Sequence, residues 1–156
     1  MKAISLHQPW ASFVVWGLKT CETRSWVTYY RGTLLIHATK RVDRGGQQVW
    51  DEFTAKFPDH ARLIGASFKD LPRGCLMGAV ELTSTAPVLE ALETLDLEFL
   101  AKEMPFGNWD PGRWIWRLEC PYRLPNPKPC RGMQALWDCA LPGVIPSLFP
   151  LSTNSL

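Results

Sequence analysis

A chain of 156 residues with 46% hydrophobic content has room for one sizeable core and too little length for a second full domain. A formal charge of +2 and a pI of about 8.3 argue against a dedicated neutraliser of duplex DNA, whose affinity would rest on many phosphate contacts. Five cysteines, at 21, 75, 120, 130 and 139, form no Cys-x-x-Cys pair and are odd in number. They support neither a zinc ribbon nor a closed disulfide framework, and suit a reduced, cytoplasmic setting.

In chain order, Met1 to Leu6 reads as a short opening strand, and Pro9 sits where a first helical turn needs no N–H donor. The helix from Pro9 to Trp16 is apolar nearly all round, hence buried, and Gly17 suits the left-handed residue that closes it. Thr20 to Trp26 can run as a strand, Arg31-Gly32 turns, and TLLIHA follows as a short apolar β-run ending near His37. Asp43 to Phe57 reads as an amphipathic surface helix and Cys75 to Pro87 as a strand. Leu89 to Glu103 reads as a helix stopped before Pro105. FGNWDPG is a turn carrying Trp109, Arg113 to Leu124 is a strand, and PNPKP is extended. GMQALWDC forms a last strand or a short helical turn, and the proline-containing end, with Phe149, reads as irregular. Five or six short strands interrupted by helices predict an α+β domain built as a small mixed β-barrel decorated by helices. No apolar run approaches the roughly 20 residues needed to span a bilayer, and no leader precedes the first strand, so a soluble protein without membrane attachment is expected. No glycine-rich phosphate loop stands between a strand and a helix, so no nucleotide cofactor is expected. His7, His37 and His60 lack ligand spacing, so no metal is expected either.

Three charges follow the tryptophan-rich helix directly: Lys19, Glu22 and Arg24. Strand alternation puts Glu22 and Arg24 on one face with Thr20 and turns Lys19 away, so Lys19 joins Glu22 only from the helix-to-strand corner. A second constellation is aromatic and basic. Alternation sets Trp114, Trp116 and Leu118 on one face, the core by default, and Arg113, Ile115 and Arg117 on the other. The arginine face, with Arg113 and Arg117, and Trp109 are the better ligand candidates, since bases stack on aromatic rings and arginine meets phosphate bidentately. Trp10 is a core anchor or a pocket wall. His37 is a satisfied buried histidine or, facing a cleft, a partner for a base edge. Lys40, Arg41 and Arg44 are a solvated helix start or a phosphate-binding rim.

QPWA, then Gly17, Lys19, Glu22 and Arg24 spaced as G-x-K-x-x-E-x-R, then YRGTLLIHA, resemble the ASCH domain (activating signal cointegrator homology), a family of PUA-like barrels. FGNWDPGRWIW and RGMQALWDC are similar to the second half of the same pattern, so the resemblance runs from about Lys2 to Cys139. It implies a PUA-like ASCH domain over residues 1–139, followed by the irregular tail of 140–156. It also implies a ligand cleft at the Lys19, Glu22 and Arg24 corner with Trp10, His37, Trp109 and Arg113 as further ligand contacts, and RNA or a nucleoside-like molecule as partner. One branch of the family consists of small amidohydrolases that deacylate N4-acetylcytidine with a lysine, a threonine three residues later and a glutamate from elsewhere in the chain. Lys19 matches that lysine, but Glu22 stands at the threonine position and removes the nucleophilic hydroxyl. Binding is therefore favoured over catalysis, with a hydrolase using Lys19 and Glu22 as the alternative and a protein-interaction adaptor as a third reading.

Overall fold

The computed structural model describes residues 1–140; apart from Ala140 itself, the expected irregular tail, with Phe149, lies outside them. Strand β1 (Lys2–Leu6) buries Ala3, Ile4 and Leu6. Helix α1 (Trp10–Val15) follows, its residues from Ala11 to Val15 all buried. Its start is held by Gln8, whose side-chain oxygen accepts from the Ser12 N–H at 3.1 Å and the Ser12 hydroxyl at 2.9 Å, while its amide donates to the Pro72 carbonyl at 2.7 Å. Gln8 is thus a fully buried polar side chain with its hydrogen bonds made. Gly17, at φ +71°, closes the helix with a bond from its N–H to the Val14 carbonyl. A Cβ there would stand 3.0 Å from the Pro121 ring.

Strands β2 (Cys21–Arg24), β3 (Gly32–Ala38), β4 (Cys75–Pro87), β5 (Trp114–Pro129) and β6 (Leu136–Asp138) complete one six-stranded sheet in the order β2-β5-β4-β3-β1-β6. The β1–β3 pair is parallel and the other pairs are antiparallel. The expected α+β class holds, with the mixed sheet curled into a half-barrel. Its curvature can be measured by one bond: an Arg24 Nη2 of β2 donates to the Ser5 carbonyl of β1 at 3.3 Å. In a flat sheet those strands would be four spacings, on the order of 19 Å, apart. Register shifts within the β3–β4 and β4–β5 ladders supply the bend.

Two expectations need correction and two are made specific. The PNPKP segment is extended as expected and forms the end of β5, with Pro129 opposite Cys75. The Cys130 N–H donates to Gly74, so by alternation Pro125, Pro127 and Pro129 turn their missing donors to the side away from β4, where no bond is needed. The helix expected over Asp43 to Phe57 begins only at Gly46, as α2 (Gly46–Lys56). A further helix, α3 (Pro58–Ile64), starts behind it on an N-terminal proline. The helix expected over Leu89 to Glu103 is two, α4 (Val88–Thr94) and α5 (Leu97–Glu103), because the Asp96 carboxylate accepts from the Phe99 N–H at 2.8 Å and restarts the chain as a cap. GMQALWDC resolves to a strand, β6, on the outer side of β1.

The main core lies between α1 and the concave sheet face, where Val14, Leu34, Ile36, Val80, Trp116 and Leu118 meet. Smaller apolar clusters seat α2 and α3 on Phe13 and α4 and α5 on Cys21 and Ile115. No helix among the described residues is long and apolar enough to cross a membrane. Gly17→Ala is expected to cost about 1–2 kcal/mol, from left-handed strain and the Pro121 contact. Urea denaturation of the variant checks this, with folded-state spectra unchanged.

Candidate ligand cleft

The corner charges form a line rather than a triangle. Lys19 reaches Glu22 from before the strand, as alternation requires: its Nζ lies 3.3 Å from Glu22 Oε2 and also donates to the Cys21 carbonyl. Glu22 Oε1 lies 3.1 Å from Arg24 Nε. Exposure rises along the line, from 1% for the Lys19 side chain to 14% for Glu22 and 26% for Arg24. The ammonium is the buried end, and the guanidinium is the end that meets solvent.

Behind them lies a buried carboxylate that the sequence does not advertise. Glu103, 1% exposed, accepts from the Thr20 N–H at 2.8 Å, the Thr20 hydroxyl at 2.6 Å and the Cys21 N–H at 3.2 Å. It pins the end of α5 to the start of β2. Burial and the Glu103 charge push the Cys21 thiol up to about 11, so this cysteine is no nucleophile at neutral pH.

Two clefts flank the Arg24–Ser5 bond. One, of about 560 Å³, is lined by Trp10, Glu22, Arg24, Asn108 and Arg113, with Asp43 at its edge. The other, of about 1260 Å³, carries Arg24, Lys40, Arg41, Arg73 and Arg131 and no carboxylate. His7 lies on both. Its Nδ1 is 2.8 Å from the Thr39 hydroxyl, which itself donates to the Arg41 carbonyl at 3.0 Å.

Arg24, Glu22, Trp10 and Arg113 therefore share the smaller cleft. Arg113 is held there by donating to the Thr23 carbonyl at 2.9 Å and the Asn108 carbonyl at 3.1 Å. Lys19 lines neither of the two clefts. It faces a hollow of about 250 Å³ beside Thr20 and Arg117. Trp109 is 9% exposed and packs with Cys21, Val88, Leu100 and Ile115 under α4 and α5. It is a core side chain rather than the loop-borne stacking platform expected, because those two helices close over its loop. The same helices cover the arginine face of β5, where Arg117 lies over the Phe99 ring at 4.5 Å.

His37 forms part of the floor of the larger cleft, yet is 2% exposed. Its Nε2 donates to the Cys130 carbonyl at 3.2 Å, which leaves Nδ1 unprotonated and without a partner. Gly132 lies so close that any Cβ would collide with the imidazole. Burial pushes the His37 pKa below its ordinary value. Of the basic run, Lys40 and Arg41 line the larger cleft and Arg44 does not. Sequence reasoning missed Gln8, Glu103, Arg73 and Arg131. Only Gln8, next to the proline and tryptophan of QPW, carried a local signal.

Replacing Glu22 by Gln strands the buried Lys19 ammonium and is expected to cost about 3 kcal/mol; Lys19→Met should cost clearly less, and the double variant should recover part of the loss, read by urea denaturation. The depressed His37 pKa sets a second expectation. Its stabilising effect is full above about pH 6.5 and is lost as pH falls towards the folded value, because the unfolded chain takes the proton first. Thermal midpoints between pH 7.5 and 5 should fall more steeply in the wild type than in His37→Phe.

A family model described as the ASCH domain matches residues 4–141. Activating signal cointegrator 1 of Mus musculus is 42% identical over 83 residues, covering 51% of this chain and 13% of that protein. The Homo sapiens protein of the same name is 41% identical over 83 residues with the same coverage. The chain thus spans about an eighth of the length of these curated relatives. Among solved structures, ASCH from Zymomonas mobilis is similar with a TM-score of 0.47 at 14% identity, covering 82% of this chain and 72% of that one. A mutant form of the Zymomonas mobilis protein gives 0.45 at the same identity, with 74% of its chain covered.

Proposed function

The chain belongs to the ASCH domain family, and from that premise we propose that it binds RNA, or a nucleoside-like ligand, across the two clefts that meet at Arg24. The observation that carries this reading is the division of charge between them. The larger cleft offers Lys40, Arg41 and Arg131 on exposed side chains with no carboxylate to compete, which suits a phosphate backbone. The smaller one offers a carboxylate on Glu22, an amide on Asn108 and the indole of Trp10 within one nucleoside-sized space, which suits a base with donors on its edge and a flat face. Arg73 contributes shape rather than a free charge, since its guanidinium donates to the Phe68, Lys69 and Leu71 carbonyls.

Binding is favoured over hydrolysis by the same geometry. Lys19, the residue a hydrolytic reading would use, has its ammonium engaged by Glu22 and by the Cys21 carbonyl behind the cleft. Thr20, the nearest hydroxyl along the chain, donates to Glu103. Fluorescence anisotropy with a labelled single-stranded RNA tests the reading. Affinity should fall with salt, with a slope of about −0.7 for each phosphate neutralised, and Arg41→Ala should flatten that slope by about one such step. Absent or salt-independent RNA binding would overturn the RNA reading, failure of nucleosides as well would overturn the whole proposal, and release of cytidine from N4-acetylcytidine by the wild type would favour the hydrolase instead.

A further inference from the structure

A fourth hollow, of about 370 Å³, opens beside the smaller cleft and shares Val49, Pro105 and Phe106 with it. Those three side chains border both hollows. Most of its remaining surface is hydrocarbon, from Leu18, Phe53, Phe57 and Ala101, although Glu52, Lys56, His60 and Lys102 also line it. The aromatic part is braced from behind: Phe13 lies 4.6 Å from Phe53 and 5.1 Å from Phe106 between ring centroids. The Phe57 side leaves apolar surface in water, that residue being 46% exposed. Asn108, two residues after Phe106, lines the polar cleft but not the apolar one. A polar recognition surface and an apolar chamber therefore lie side by side.

We propose that the site takes a nucleobase whose exocyclic nitrogen carries one apolar substituent longer than an acetyl group, the substituent crossing the Val49–Phe106 saddle into the chamber. This rests on the nucleobase reading above. The chemistry restricts the class further. Glu22 accepts hydrogen bonds and cannot donate them when ionised, and each of its oxygens is engaged by one cation, which leaves lone pairs for a ligand donor. An exocyclic nitrogen that fills this role keeps one N–H for Glu22 while bearing the hydrocarbon. A singly substituted amine meets both demands, an unsubstituted one leaves the chamber empty, and a doubly substituted one has no donor for the carboxylate.

Calorimetric titration of the full chain with adenosine, N6-isopentenyladenosine and N6,N6-dimethyladenosine tests this, with cytidine and N4-hexylcytidine in parallel. Filling the chamber should make the singly substituted member of a pair at least about ten-fold tighter than its parent, and the dimethylated nucleoside should bind no better than adenosine. Ala101→Trp, on an exposed position of α5, should fill the chamber and remove that gain while leaving binding of the parent nucleoside unchanged. Equal affinity for parent and substituted nucleosides, or a gain that survives Ala101→Trp, would overturn the proposal and leave the nucleobase reading standing. Failure of every nucleoside and of the labelled RNA would sink both.

Discussion

Everything around the site depends on the Arg24 guanidinium reaching the Ser5 carbonyl. Hydrogen-bonded neighbours alone would leave β2 at the far edge of an open sheet, remote from β1. The bond draws that edge round, and the space it encloses is divided into a basic side and a mixed-charge side with Arg24 in both walls. A lysine would be a poor substitute, because only a planar fork can face a carboxylate through Nε and a carbonyl through Nη at once. The guanidinium is thus a structural clasp and a surface of the site together.

Charge placement around that clasp follows burial closely. Lys19 is deepest and has both a carboxylate and a carbonyl; Glu22 is intermediate and lies between two cations. An unpaired ammonium at 1% exposure would be untenable, so Glu22 is first a requirement of the fold. That requirement also makes it available, because an acid fixed by two cations presents its remaining lone pairs in a set direction. Glu103 performs the corresponding task for the backbone, satisfying two N–H groups where the chain leaves the corner.

The local features were legible. Alternation along β5 separated Trp116 and Leu118, both in the main core, from Ile115 on the other side. The break at Gly17 allowed Lys19 to meet Glu22 from the corner. What escaped was non-local. Nothing near Glu103 marks it as the partner of residues more than eighty positions earlier, and nothing in CRGMQ reveals that Gly132 must lie bare against the His37 ring. Trp109 was misjudged because turn residues report backbone geometry and not what later packs over the loop. The PNPKP strand was hidden for the opposite reason. Prolines normally argue against pairing, and here they occupy alternate positions whose donors have no neighbour to reach.

The pairing of β6 with β1 has a consequence for how the molecule is made. Lys2 faces Asp138 and Ile4 faces Leu136, while the other side of β1 is covered by β3. The first strand of the domain therefore waits for one synthesised more than 130 residues later before its outer edge is sealed. Contacts so distant along the chain slow folding and leave strand edges bare in the interval. On a ribosome this edge is sealed only once residue 138 has cleared the exit tunnel, so the nascent domain carries an unsealed β1 edge while everything between β1 and β6 is made.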